Sequence, residues 1–135
     1  MNSGRFILID NDAVNNFLCK LYIKRVSPEI EIVDFILAKE CFRYLEEAYS
    51  NNSPKPTVLF LDIIMPIMSG WDFLENFNLL DQKIKDQITI YILSSSVDSK
   101  DIDFSANNKY IKEYLVKPIT LKAIETVYKE NNFAS

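Results

Sequence analysis

The chain has 135 residues, 48% of them apolar and 25% charged, the profile of one soluble globular domain large enough to bury a core. With 15 lysines and arginines against 19 acids, its net charge of −4 argues against a general nucleic-acid binder. No apolar run approaches the roughly 20 residues of a membrane span and no secretory signal opens the sequence, so a cytoplasmic protein is expected.

In chain order, segment 6–9 reads as a first strand that ends in Asp10, Asn11 and Asp12. Segment 13–25 has helical period, with Val14, Phe17, Leu18, Leu21 and Tyr22 expected on one apolar face. A second strand is predicted over 31–35, then a helix over 37–49 carrying Leu37, Ala38, Cys41, Phe42, Leu45, Ala48 and Tyr49. After the loop 50–56 come a strand over 57–61, a helix over 71–80 and a strand over 88–93. The helix expected over 100–108 is weak, anchored only by Ile102, Phe104 and Ala106, and a helix so lightly held shifts at small cost. A fifth strand over 113–116 and a helix over 121–128, N-capped by Thr120, close the pattern. Cys19 and Cys41 fall inside helical patterns and are expected as buried thiols.

Strand and helix alternate five times, which implies an α/β fold of three layers, a doubly wound parallel sheet with right-handed crossovers. The strands over 6–9, 57–61 and 88–93 are almost continuously apolar, as expected for strands covered on both faces. In such sheets ligands bind beyond the carboxyl ends of the strands. There the sequence puts Asp10-Asn11-Asp12, Asp62, Ser94-Ser95-Ser96 and Lys117-Pro118. Each alone is an ordinary turn, cap or surface group; their convergence on one sheet edge is the argument for function.

The chain contains no histidine, which excludes Ser–His–Asp and Cys–His catalysis and any His-ligated zinc site. Carboxylates prefer Mg²⁺, Mn²⁺ or Ca²⁺, and Mg²⁺ works on phosphates. A lysine and a hydroxyl hold phosphoryl oxygens, and a carboxylate can itself accept the phosphoryl group. The residues leave Asp10, Asp12 and Asp62 as candidate acceptors.

The stretch "LFLDIIMPIMSGWDF", residues 59–73, joins an aspartate at a strand end to Met65-Pro66, Met68 and Gly70. With the acid turn, Ser94 and Lys117-Pro118 in order, nearly the whole chain resembles the response-regulator receiver domain of the single-domain, chemotaxis-regulator type. That resemblance implies a flavodoxin-like (βα)5 sheet of order 2-1-3-4-5, in one domain over 1–135 with no output domain. It implies Asp62 as phosphoacceptor, with Lys117 and Ser94 holding the phosphoryl group. Mg²⁺, or Mn²⁺, would be held by Asp10, Asp62, Asn11 and the Ile64 carbonyl, with Asp12 a further candidate ligand. Tyr114 falls at the family's switch aromatic, and is equally an ordinary half-buried strand residue. Expected partners are a sensor histidine kinase or histidine phosphotransfer protein and a downstream protein target, with no nucleic acid or membrane. The chain itself would be a monomer or weak dimer. Output would pass through the surface of the helix over 100–108, the fifth strand and the last helix.

Two departures stand out. Asn11 replaces the family's usual acid, so weaker Mg²⁺ binding is expected. Ile64 stands where fast-dephosphorylating members carry a polar group, with only Ser96 at the matching position after the fourth strand, so slow loss of phosphate is expected. "ILIDNDAV", residues 7–14, also resembles the first motif of haloacid-dehalogenase-type phosphatases, with Asp10 and Asp12 as the reacting pair. That reading leaves Asp62 and the Met-Pro…Gly turn without a role. A third reading, a pseudo-receiver that only binds, rests on Asn11 alone.

Overall fold

The computed structural model describes residues 4–50, 54–65, 67–131 and 133. Five strands, β1 (Arg5–Ile9), β2 (Glu31–Phe35), β3 (Thr57–Leu61), β4 (Ile88–Ser94) and β5 (Ile111–Val116), form one parallel sheet of order β2-β1-β3-β4-β5. Helices α1 (Ala13–Val26), α2 (Ala38–Ala48), α3 (Gly70–Asn78), α4 (Gln82–Lys85), α5 (Ser99–Ala106) and α6 (Leu121–Glu130) connect them. This is the three-layer α/β, flavodoxin-like architecture expected, with β2 and β5 at the edges.

Alternation along the central strands splits the core in two. Ile7, Ile9, Leu59, Leu61, Ile90 and Ile92 pack with α2 and α3, through residues such as Cys41, Leu45, Phe73 and Phe77. Phe6, Leu8, Val58, Phe60, Tyr91 and Leu93 pack with α1 and α6, through Cys19, Ile23, Ile124 and Val127. The continuously apolar strands are thus buried on both faces, as parallel sheets require. Thr120 caps α6 by accepting from the Ala123 N–H, and both cysteines are buried free thiols.

Two expectations need correction. The buried face of α1 is Asn15, Asn16, Cys19 and Ile23, whereas Val14 is 68% and Phe17 63% exposed. Helix α5 does not bury its expected anchors: only Ser105 is buried, and Phe104 instead lies against Trp71, ring centroids 4.5 Å apart and planes tilted by 54°. The short helix α4, held by a single buried residue, Ile84, has no counterpart in the sequence pattern. Among the described residues no helix is long and apolar enough to cross a membrane.

Candidate functional site

Register brings the site together. Ile9 pairs with Leu61, so the next residues, Asp10 and Asp62, stand side by side beyond the ends of β1 and β3. Their N–H groups donate to Phe35 and Ile9 carbonyls, so both acids are anchored by continuing the sheet ladder. Ser94 pairs with Val116, and the Lys117 N–H donates to the Ser94 carbonyl at 2.9 Å, which brings the lysine to the same edge.

Lys117 bridges the two acids, its Nζ lying 2.6 Å from Asp10 Oδ2 and 3.1 Å from Asp62 Oδ2. The remaining carboxylate oxygens accept backbone donors, Asp12 N–H to Asp10 Oδ1 at 2.9 Å and Ile64 N–H to Asp62 Oδ1 at 3.0 Å. Both carboxylates are buried, at 3% and 5% exposure, and share one ammonium, so the site carries surplus negative charge. Burial pushes the Asp10 carboxyl above its ordinary range, and the Asp62 charge adds to this against the pull of Lys117 and the Asp12 N–H. Burial alone would lower Lys117, but its bonds and charges from Asp10 and Asp62 win and hold it above its usual value.

The other expected residues fall as follows. Asn11 is exposed beside Asp10, and Ile64 follows Asp62 at the mouth, 57% exposed. The Asp12 carboxylate turns to α1, accepting from the Val14 and Asn15 N–H groups as its N-cap. Ser94 is fully buried, and its Oγ accepts from the Ser96 N–H at 3.2 Å. Tyr114 is half-buried and donates its hydroxyl to the Ser96 carbonyl at 2.8 Å. Pro66 of the signature lies outside the described residues; next to it Ile67 is 96% exposed with φ of 69°, an uncommon conformation for a β-branched residue.

Gly70 explains itself by space. A Cβ there would meet Ile63 Cα at 2.6 Å and the Asp62 carbonyl oxygen at 2.7 Å, so only glycine lets α3 start against the end of β3. Ser69 caps that helix in a reciprocal box with Asp72.

Sequence reasoning missed Asn15, Asn16 and Asp101. Asn15 donates to Asp10 Oδ2 at 2.9 Å, and Asn16 donates to the Asp10 carbonyl at 3.0 Å. Ser96 Oγ donates to Asp101 on α5 at 2.7 Å, joining the loop after β4 to that helix. The available signal was the pair of amides on the helix face that also carries Cys19 and Ile23.

A model of the response regulator receiver domain matches residues 6–129. The chain belongs to that family. Receivers are the phosphoacceptor domains of two-component signalling, phosphorylated on aspartate. This receiver is similar to a two-component response regulator from Cytophaga hutchinsonii, with 26% identity over 98% of each chain and a TM-score of 0.86. A response regulator receiver protein from Dyadobacter fermentans matches at 23% identity over 95% of this chain and 97% of that one, TM-score 0.80. The phosphorylated cyanobacterial phytochrome response regulator RcpA shares the fold at 20% identity, covering 93% and 91% of the two chains, TM-score 0.75. A search of curated protein sequences finds no match.

The receiver's donors fit a hard cation of the Mg²⁺ type. Asp10 and Asp62 are an all-oxygen pair whose buried negative surplus favours a cation, although among the described residues no group of three or more acids gathers there. The carboxylates facing one another are two, since Asn11 is neutral and Asp12 is committed to its helix.

Proposed function

We propose that this receiver takes a phosphoryl group onto Asp62 from a phosphohistidine on a partner protein, with Mg²⁺ held by Asp10, Asp62, Asn11 and the Ile64 carbonyl. The observation that carries this reading is the pair of buried aspartates bridged by Lys117. The 135 residues contain no histidine, so the donor, a sensor kinase or a histidine phosphotransfer protein, lies outside them. Bound in the cradle, Mg²⁺ would offset the charge gathering on the transferring oxygens.

The chain's own groups do the rest. Asp62 Oδ2 attacks phosphorus, the phosphorus–nitrogen bond to the donor imidazole breaks, and Lys117 follows the new charge from the carboxylates to the phosphoryl oxygens. Among the described residues the Ser94 hydroxyl accepts from the Ser96 N–H and donates to none, which leaves its proton to turn toward the phosphoryl group. That movement reaches the Ser96 loop, which holds both Tyr114 and Asp101, and so shifts α5, β5 and α6, the surface proposed to contact a downstream protein. The donor docks on α1, where exposed Val14, Phe17 and Leu21, spaced three and four residues apart, share one apolar face.

Slow self-dephosphorylation follows from the same geometry. Ile64 offers no polar group to a water at the acceptor, and the Ser96 hydroxyl is committed to Asp101. The test is phosphoramidate with Mg²⁺, followed by intact-mass and peptide mass spectrometry. Wild type is expected to gain one phosphoryl group at Asp62, stable for minutes or longer, and Asp62→Ala to gain none. An adduct that survives Asp62→Ala, or forms at Asp10, overturns the assignment, and a half-life of seconds overturns the slow turnover.

A further inference from the structure

Asn15 and Asn16 occupy the turn of α1 that faces the sheet, where helical period places core residues: Asn15, Cys19 and Ile23 follow one another at four-residue spacing, all buried. Amides buried on such a face cost free energy unless they are hydrogen-bonded. Both spend a donor on one residue, Asp10. Asn15 Nδ2 reaches Oδ2 at 2.9 Å, and Asn16 Nδ2 reaches the main-chain carbonyl at 3.0 Å. We infer that Asn15 is a positioning residue for the cation cradle: it fixes the plane of the Asp10 carboxylate and so sets Mg²⁺ affinity.

The inference rests on the receiver reading and deepens it. A carboxylate rotates about its Cβ–Cγ bond unless both oxygens are held. Oδ1 is held by the Asp12 N–H, while Oδ2 is held by Lys117 and Asn15. Lys117 leaves Oδ2 when it follows the phosphoryl group, and Asn15 is then the side chain that still holds it. The demand is sharper here than in a cradle with three acids, because Asn11 is neutral and two carboxylates carry all the charge. Partners that orient ligands in this way typically change metal affinity by about 10–100-fold when removed. The side chain of Asn16, on the main chain, instead ties helix to strand and holds no carboxylate oxygen.

The test is calorimetric titration of the purified chain with MgCl₂ alone, without a phosphodonor. Asn15→Leu is expected to weaken Mg²⁺ binding by roughly tenfold or more. In an Asp10→Asn background the same substitution is expected to change affinity less than twofold, because its route of action is gone. Asn15→Ser, too short to reach Oδ2 and tolerant of water, should reproduce the loss and serves if the leucine variant fails to fold. Affinity within twofold of wild type in the folded variants overturns the inference, as does an equal loss in the Asp10→Asn background. Wild type that binds no Mg²⁺ overturns it too. If phosphoramidate still labels Asp62 in that case, the phosphoacceptor reading survives without it, and if it does not, both fall.

Discussion

The two edges of the sheet carry similar groups and use them differently. At the amino edge the Arg5 guanidinium contacts Glu31 at 2.8 Å and lies over the rings of Tyr44 and Tyr49, 5.6 and 5.4 Å from their centroids. Lys55 adds a second cation 3.7 Å from Glu31, and the Tyr49 hydroxyl bonds to Thr57. Positive charge is in excess there, but Glu31 and Lys55 are open to water and aromatic faces shield Arg5. At the carboxyl edge the excess is negative and buried, two aspartates sharing one lysine. A surplus charge in solvent costs little; a buried one costs a great deal unless something compensates it. That imbalance, more than the presence of charged residues, separates the functional edge from the structural one.

The largest effect expected from this contrast is at the structural edge. Arg5→Leu removes a shielded cation and both aromatic contacts, and should lower unfolding free energy by roughly 1–3 kcal/mol. Urea denaturation measures the loss, and phosphoramidate labelling of Asp62 should proceed at the wild-type rate. A change in that rate would mean that the edges are coupled and the contrast false.

The carboxyl edge should respond in the opposite direction. Because the folded Asp10 carboxyl is raised above its ordinary 3.8, the folded state holds that proton more tightly than the unfolded chain does. Its stabilising contribution is therefore full below the unfolded value and is lost as pH rises through the folded one. At pH 7 the ionised Asp10 is a net cost. Without Mg²⁺, Asp10→Asn should raise stability by on the order of 1 kcal/mol, with the gain fading as pH falls toward 4. Adding Mg²⁺ should stabilise wild type and leave the variant behind. Thermal melts across pH, with and without MgCl₂, measure both. A variant less stable than wild type at pH 7 without metal would show that the lysine already balances the pair.

What was legible in the sequence follows the same physics. Strands buried on both faces must be continuously apolar, so β1, β3 and β4 stood out, and the strand ends then gave Asp10, Asp62, Ser94 and Lys117. Strand β5 was expected two residues short: it is an edge strand with mixed burial, and an irregularity opposite Ile90 and Tyr91 obscures its start at Ile111. Helix α4 has four residues, too few for a period to register. The buried face of α1 differs from the one periodicity predicts, because periodicity reports an apolar stripe without saying what covers it. The site claims the sheet-facing turn for Asn15 and Asn16, which left the visible stripe on the outside.

That exposed stripe gives the smallest effect on folding and the finest test of the contrast. Phe17 is 63% exposed and its ring has little to lose when the chain unfolds, so Phe17→Ala should change stability by no more than about 0.5 kcal/mol. Labelling by phosphoramidate, a small donor that touches only the pocket, should be unaffected. Transfer from a phosphorylated histidine protein should slow, because α1 is the face proposed for docking that donor. Loss with the protein donor alone assigns the stripe to docking. Loss with both donors would make Phe17 part of the pocket wall, and loss with neither would leave the stripe to another partner.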